Sequence, residues 1–139
     1  MSLDVALLVL LMRALVPGAP DAPALASAIV ASGATWDEAT WLVGIAYRES
    51  GFRLNAVGDQ GRAKCALQVH HAPREALTDA NVCVRAGLYI LRASMQLCPA
   101  QPLAAYAGAT CGGDTAGRIS RDRDRVRKVA LRRVLGVVP

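Results

Sequence analysis

One carboxylate in the first half of the chain is placed where it could act as a general acid. Glu49 ends a predicted helix and follows Trp41 and Ile45 at intervals of four residues. Residues at this spacing lie on one face of a helix, so Glu49 continues an apolar stripe. Partial burial and the negative end of the helix dipole both favour a protonated carboxyl group. A general acid needs a carboxyl group of this kind. The alternative is an exposed glutamate paired with Arg48 or Arg53.

A small polar set accompanies Glu49 in a largely apolar chain. Ser50 follows the acid directly, whereas Gln68 and Tyr106 come later, each within a short apolar stretch. Each side chain also has a purely structural interpretation. Ser50 could be a polar residue at a helix end, Gln68 a surface glutamine, and Tyr106 a core tyrosine whose hydroxyl is hydrogen-bonded.

The order and spacing of these residues resemble the catalytic signature of the soluble lytic transglycosylases and goose-type lysozymes, which cleave peptidoglycan. That family carries a Glu-Ser pair, an Asn-Ala stretch, a Gly-rich turn, a Leu-Met-Gln-like segment and an Ala-Tyr-Asn-Ala-Gly motif. The resemblance covers roughly residues 36–113, over half of the chain. The matching stretches are Glu49-Ser50-Gly51-Phe52, Asn55-Ala56-Val57-Gly58, Gly61, Ala66-Leu67-Gln68-Val69 and Ala105-Tyr106-Ala107-Gly108.

The resemblance implies a role for each matching side chain. Glu49 would be the catalytic acid and base, and Ser50 would position the substrate or a water molecule. Gln68 would hydrogen-bond a sugar through its amide, and Tyr106 would reach toward Glu49 or the substrate. Two positions depart from the family pattern. Cys65 and the residue after it replace a glycine, which suggests a disulfide there, and Ala107 replaces an asparagine that would help to position the substrate.

The number of carboxylates separates two reactions. Most glycoside hydrolases use two, but the resemblance implies a single glutamate. In that family the glutamate first protonates the leaving oxygen and then activates the sugar's own 6-hydroxyl, which gives a 1,6-anhydro product. Asp59, ten residues after Glu49, could orient a water for hydrolysis, or it could simply be a turn residue. We expect a lytic transglycosylase. The alternatives are a lysozyme-like hydrolase of the same bond and a non-catalytic domain that binds wall glycans.

No metal or other cofactor is expected. The four cysteines form no CxxC motif, and no tight cluster of cysteine and histidine occurs. His70 and His71 lack a carboxylate at ligand spacing, so we expect them at the surface or at the edge of a cleft.

The four cysteines suit two disulfides formed in an oxidising compartment. Three pairings are open to four cysteines. We expect Cys65–Cys83 and Cys98–Cys111, because each would tie a loop to a neighbouring helix. The alternative is four buried thiols that pack as small apolar side chains.

Positive charge is concentrated late in the chain. The net charge is +5, and eight of the 16 Lys and Arg residues lie in Arg118–Arg133. Apolar residues at helical spacing predict that this segment is an amphipathic helix packed on the domain, with a solvated charged face. The functional interpretation is attraction to anionic wall polymers, which salt would weaken. Nucleic acid is not an expected partner, since the chain has no reading motif and no aromatic stacking stripe.

The secondary structure that must position these residues is mostly helical. Ala, Leu and Val dominate, while Phe, Trp and Tyr make up only 4% of the chain. A capping box at Thr35 and Glu38 predicts the start of the helix that carries Glu49. A polar, Gly-rich loop is expected after it, either irregular or folded into a short β-hairpin. The other predicted helices span about 4–15, 23–32, 73–77, 79–97, 102–107 and 120–136.

These elements predict an α+β fold, mostly helical and lysozyme-like, with a small irregular or hairpin insertion after Glu49. Residues 1–139 are expected to form one domain, because no linker divides the chain. A monomer is expected. No transmembrane segment is expected either, since the apolar run Val5–Leu11 is far too short to span a bilayer. No clear signal peptide is seen, as the first cation is Arg13. An extracytoplasmic or phage-delivered location is expected.

Overall fold

The computed structural model describes residues 2–136, which form five α-helices and a small antiparallel sheet. This arrangement confirms the predicted α+β class with mostly helical content. The helices are α1 (Val5–Leu15), α2 (Ala22–Ala31), α3 (Trp36–Ser50), α4 (Ala80–Leu97) and α5 (Asp114–Leu135). The strands are β1 (Val57–Gly58), β2 (Ala63–Lys64) and β3 (Val69–His70), and short 3₁₀ helices cover Asp59–Gly61 and Arg74–Leu77.

Four helices begin where the sequence predicts, because local capping signals select their first turns. Asp4 and Asp79 accept backbone N–H bonds in the first turns of α1 and α4. Pro23 occupies the first turn of α2, where its missing N–H costs no hydrogen bond. Thr35 and Glu38 form the predicted capping box of α3, with reciprocal bonds of 3.1 and 2.8 Å.

The hairpin predicted after Glu49 is present and has a third strand. β1 pairs antiparallel with β2, and β2 pairs antiparallel with β3. Val57 lies opposite Lys64 in the first pair, and Lys64 lies opposite Val69 in the second. Because each strand has only two residues, side-chain and loop hydrogen bonds hold this segment together.

Two predicted elements differ from those observed. The last helix is predicted to begin near Ser120, but α5 begins six residues earlier. The prediction is wrong because Gly117 is a weak helix former, whereas its burial together with that of Ala116 keeps this turn helical. A Cβ added to Gly117 would lie 3.3 Å from the amide of Gln101, so this turn packs closely on the preceding loop. Residues 102–107 form consecutive turns there, instead of the one or two helical turns expected.

One hydrophobic core takes in residues from all five helices. Within it, α3 packs against α1, α4 and α5. The approach of α3 to α5 is close, since a Cβ added to Gly44 would lie 2.8 Å from the backbone oxygen of Arg123. Gly44 therefore lets α5 run directly over α3, and this crossing brings Arg123 beside the end of the helix that carries Glu49.

Both predicted disulfides are confirmed. Cys65–Cys83 joins the loop after β2 to α4, and both of its residues are fully buried. Cys98–Cys111 closes the segment between α4 and α5, where Cys111 is exposed. Two disulfides are typical of proteins that fold in an oxidising compartment. Among residues 2–136 we find no helix with the length and hydropathy needed to cross a bilayer.

Candidate active site

A cleft of about 620 Å³ brings the end of α3 together with the sheet, α4, α5 and the 105–108 turns. Three residues singled out by sequence, Glu49, Gln68 and Tyr106, all line it, although they are far apart along the chain. This volume is typical of ligand-binding clefts. The other polar lining residues are Asp59, His70, His71 and Arg123, and the apolar ones include Val69, Ile90 and Ile119.

The Glu49 side chain is 31% exposed. It forms an ion pair with a cation that the sequence did not predict. Oε1 of Glu49 accepts a hydrogen bond of 3.2 Å from Nη2 of Arg123. Among the described residues, none donates a hydrogen bond to Oε2. The partner is therefore neither Arg48 nor Arg53, and nothing in the sequence around Glu49 could have indicated Arg123, which lies 74 residues later.

Arg123 is itself held by a carboxylate. Its Nη1 donates to Asp122 at 2.8 Å, and Asp122 also receives two 3.0 Å bonds from Arg48. Two adjacent residues of α3 and two of α5 thus form a chain of alternating charge, Arg48–Asp122–Arg123–Glu49. Desolvation by burial opposes ionisation of Asp122, but its hydrogen bonds from Arg48 and Arg123 prevail and leave its pKa below the usual value. The network therefore gives Arg123 a fixed position at the cleft.

Tyr106 connects the two walls of the cleft. Its hydroxyl donates a 2.7 Å hydrogen bond to the carbonyl of Leu67, and its backbone N–H donates to Ser94 at 3.1 Å. Part of the residue is exposed, but the hydroxyl is withdrawn from solvent. Burial raises the pKa of this hydroxyl above its ordinary value, and the negative charge of Glu49 adds to the effect. Tyr106 thus remains a neutral hydrogen-bond donor close to Glu49.

Gln68 lines the cleft, yet its amide nitrogen is used within the protein. Nε2 donates to the carbonyls of Ala56 and Cys65, at 3.1 and 2.9 Å. The amide therefore ties the third strand to the chain before the first. Only Oε1 remains to face a ligand, and it also fills the space beside Gly58, where an added Cβ would approach it.

Ser50 is buried and does not line the cleft. Its hydroxyl lies 3.1 Å from the carbonyl of Ala46 and 2.8 Å from that of Ala66, and it accepts the backbone N–H of Arg53. Ser50 therefore joins the end of α3 to the segment that precedes Gln68. The geometry favours a structural role for Ser50, because its hydroxyl is hydrogen-bonded within the protein and the residue does not line the cleft.

Asp59 lies on the same cleft as Glu49 and has two basic side chains as neighbours. His70 Nε2 lies 3.3 Å from Oδ2 of Asp59, and Arg62 lies 3.6 Å from Oδ1. All three side chains are largely exposed at the mouth of the cleft. His70 and His71 line this edge, as expected. Within residues 2–136 no group of three or more His, Cys, Asp and Glu is arranged to hold a metal ion.

Unusual backbone geometry is concentrated in the segment that forms one cleft wall. Six of the described non-glycine residues have positive φ angles, and all of them fall between 52 and 71: Phe52, Asp59, Gln60, Cys65, Gln68 and His71. Left-handed geometry of this kind costs free energy in non-glycine residues, so tertiary contacts must hold it in place. The disulfide of Cys65 and the hydrogen bonds of the Gln68 side-chain amide supply such contacts. Three of the six residues line the cleft.

The chain was compared with protein-family models, with curated proteins and with solved structures, and none of these comparisons finds a match.

Proposed function

We propose that this chain is a peptidoglycan-cleaving enzyme of the lytic transglycosylase type, with Glu49 as its acid and base. The observation that carries the proposal is the meeting of Glu49, Gln68 and Tyr106 at one cleft. The same three residues define the motif resemblance in the sequence. The strained backbone of the cleft wall adds support, because such strain is often kept at functional sites.

Glu49 has one carboxylate oxygen left for a proton transfer. Arg123 donates to Oε1, which leaves Oε2 to carry the proton that moves. In the proposed first step, Glu49 gives this proton to the glycosidic oxygen and the bond from that oxygen to C1 breaks. The N-acetyl group of the substrate stabilises the positive charge at C1. The Glu49 carboxylate then removes the proton of the 6-hydroxyl as its oxygen bonds to C1, which regenerates the acid and closes the 1,6-anhydro ring.

The arrangement of elements supports a lysozyme-like architecture as part of the proposal. A helix ends in the candidate acid, a short antiparallel sheet follows, and further helices close the cleft. The peptidoglycan glycan strand would lie along the cleft between the sheet and the 105–108 turns. An extracytoplasmic site of action fits the two disulfides.

A lysozyme-like hydrolase is the second candidate, and one observation favours it. Asp59 faces the same cleft as Glu49, held by His70 and Arg62. A second carboxylate in this position could orient a water molecule toward C1, which would leave a reducing end in place of the anhydro ring. The two candidates therefore differ in their products.

Product analysis tests the proposal directly. Purified peptidoglycan is digested with the wild type, with Glu49→Gln and with Glu75→Gln, and the fragments are identified by mass spectrometry. Glu75 is an exposed carboxylate on a 3₁₀ helix and lies outside the cleft lining, so it serves as a matched control. We expect anhydro-ended fragments from the wild type and from Glu75→Gln. Glu49→Gln should lose activity by at least about 100-fold, because it removes the transferred proton.

Each other outcome has a definite meaning. Reducing ends from the wild type would replace the transglycosylase with the hydrolase, and Asp59→Asn would then be expected to lower that activity. Full activity in Glu49→Gln would remove Glu49 from the mechanism. Binding of glycan strands by the wild type without any fragments would indicate a non-catalytic wall-binding domain.

A further inference from the structure

The outward face of α5 carries a line of four arginines, Arg118, Arg121, Arg125 and Arg132, all of them exposed. At 3.6 residues per turn these positions fall within an arc of about 60°, and at 1.5 Å per residue they span about 21 Å. The buried residues of α5, among them Ala116 and Ala130, lie on the other side of the helix. We refer to these four residues as the arginine stripe.

The stripe differs from three other cations of the same helix. Arg123, Arg127 and Lys128 all form ion pairs with carboxylates on α3 or α5. Among the described residues, no carboxylate pairs with Arg118, Arg121 or Arg132, and Arg125 shares Asp122 with two other arginines. Asp114 stands one turn before Arg118, but no ion pair joins them. The helix therefore neutralises these three cations, whereas three of the four stripe arginines remain available to an outside partner.

The positions of the stripe are unfavourable for the helix itself. Like charges three or four residues apart repel each other, as Arg118, Arg121 and Arg125 do. Arg118 also lies in the second turn of α5, near the end where the helix dipole disfavours positive charge. Of these three arginines, Arg125 alone pairs with a described carboxylate, Asp122, which it shares with two other arginines. A partner that supplies negative charge would offset both.

The chemistry of the stripe indicates what that partner carries. All four residues are arginines, whose planar guanidinium groups bind phosphate with two parallel hydrogen bonds. An extended row of such groups fits a linear polymer with regularly repeated phosphates. The helix has no aromatic residue between Asp114 and Leu135 on which bases could stack. This favours a phosphodiester polymer without bases over single-stranded nucleic acid.

We propose that the arginine stripe binds a linear polyol-phosphate polymer of the cell envelope. The choice of a cell-envelope polymer rests on the proposed action on peptidoglycan. The inference that the stripe binds phosphate groups does not rest on that proposal. The cleft opens beside Ile119 and Arg123, away from the outward face of α5. A polymer bound on the stripe would therefore leave the cleft free, and it would hold the enzyme at the wall while glycan strands enter.

Binding is measured by isothermal calorimetry with synthetic poly(glycerol phosphate) at low and high salt, with duplex DNA as a comparison polyanion. The test variant changes Arg118, Arg121 and Arg132 together to glutamine, which keeps the helix propensity high. The matched control changes three exposed arginines on other elements, namely Arg13, Arg74 and Arg85, to glutamine. Both variants lose the same net charge.

We expect the wild type and the control to bind poly(glycerol phosphate), with affinity that falls as salt is raised. The stripe variant should bind at least about tenfold more weakly and depend less on salt, because it makes fewer phosphate contacts. No binding by the wild type, or an equal loss in both variants, would overturn the proposal. Tighter, stripe-dependent binding of duplex DNA would assign the surface to nucleic acid instead.

A second assay separates this proposal from the proposed function. Peptidoglycan stripped of its phosphate polymers is digested with the wild type and both variants, and all three should act at the same rate. If polymer binding is intact but no variant cleaves the glycan, the proposed function fails and the binding surface stands. If cleavage is normal but no polymer binds, only the binding surface fails.

Discussion

At the scale of single residues, the environment of Glu49 is defined by groups from distant parts of the chain. Arg123 contacts its carboxylate from α5, and Tyr106 brings a neutral hydroxyl close to it from the 105–108 turns. The hydroxyl of Tyr106 donates its one hydrogen bond to the carbonyl of Leu67. Tyr106 therefore contributes to the site by holding the cleft wall in place. Residues of the candidate site thus divide into those that face the cleft and those that keep its shape.

Tyr106→Phe should separate these two kinds of contribution. The change leaves the Leu67 carbonyl without its donor and should lower the free energy of unfolding by about 1 kcal/mol. Tyr89 is 75% exposed, so Tyr89→Phe is the matched control and should leave stability unchanged. Urea denaturation followed by circular dichroism checks both. Equal stability of Tyr106→Phe and the wild type would show that the hydrogen bond to Leu67 contributes nothing.

The sequence predicted which polar residues lie near Glu49, but it did not predict which groups their side chains bond. The motif spacing indicated Gln68, but its amide is directed at Ala56 and Cys65. The Ser50 hydroxyl likewise hydrogen-bonds to backbone carbonyls, that of Ala46 in α3 and that of Ala66. Sequence spacing reports which residues approach one another. It does not report which donors are already satisfied, because that depends on backbone carbonyls brought near by folding.

At the scale of secondary structure, α3 carries the candidate acid and is anchored at its start. Glu38 completes the capping box and also binds Arg92 of α4 through both carboxylate oxygens, at 2.7 and 3.1 Å. The hydrogen bond from Arg92 is the main reason that the pKa of Glu38 is lowered from 4.5 to about 2. One side chain therefore caps α3 and ties it to α4.

This lowered pKa predicts how stability depends on pH. Because the pKa of Glu38 is lower in the folded state, its contribution is complete above pH 4.5 and is lost as the pH falls toward about 2. Glu38→Gln can still cap the helix but carries no charge. We expect it to be less stable than the wild type by about 1 kcal/mol at neutral pH, a modest value because Arg92 is half-exposed and screened.

Unfolding of both proteins in urea between pH 7 and pH 2 checks this expectation. The difference between the wild type and Glu38→Gln should shrink below pH 4.5 and disappear near pH 2. Glu75→Gln, on an exposed 3₁₀ helix, provides the control. A difference that stays constant across the whole range would mean that packing of Glu38, and not its charge, stabilises the start of α3.

The crossing of α3 and α5 depends on Gly44. A methyl group there would lie 2.8 Å from the backbone oxygen of Arg123, and a backbone atom cannot move aside as a side chain can. Gly44→Ala should therefore destabilise the protein by about 1–3 kcal/mol despite the better helix propensity of alanine. It should also lower any activity that depends on Glu49, because it displaces Arg123.

Gly117→Ala is the matched control for the crossing. It makes the same change in the same helix pair, but the added methyl group would meet the ends of two side chains, Arg121 at 3.0 Å and Gln101 at 3.3 Å, which can move aside. Its stability should equal or exceed that of the wild type, by up to about 1 kcal/mol. Thermal unfolding of the two variants compares them. If Gly44→Ala were as stable as Gly117→Ala, the tight crossing would not be needed to hold α5 in place.

At the scale of the whole molecule, the two disulfides act on different parts. Cys65–Cys83 lies in the main core and fixes the sheet side of the cleft to α4. Cys98–Cys111 lies in a small separate cluster with Ala104 and holds the loop that carries the opposite wall. Each wall of the cleft thus has its own covalent connection to the helical body.

Removal of Cys98–Cys111, by replacing both cysteines with alanine, should loosen the wall that carries Tyr106. The bridge spans 13 residues, so its loss should cost about 2–3 kcal/mol of unfolding free energy. Peptidoglycan cleavage should fall further than the folded fraction does, because Tyr106 is then held less firmly. Activity per folded molecule, measured beside circular dichroism, checks this. Unchanged activity per folded molecule would show that the cleft needs no covalent connection on this side.

Much of the fold follows from local patterns in the sequence. Caps at Asp4, Thr35 and Asp79 start their helices through bonds to nearby backbone groups, so these starts can be read without tertiary information. The sequence also indicated the hairpin, both disulfides and the place of Glu49 at the end of α3. All of these depend on residues that are close in the chain or on patterns with a fixed period.

Only folding decided the rest, because the deciding contacts join distant residues. The start of α5 depends on burial of Ala116 and Gly117 against a loop, which local propensity does not register. The partner of Glu49 depends on the crossing at Gly44, which carries Arg123 across from 74 residues away. The arginine stripe can be recognised only in the structure, where Arg123, Arg127 and Lys128 of α5 form ion pairs with carboxylates on α3 and α5. Spacing along a chain determines faces of helices, whereas the pairing of charges across faces requires the packed structure.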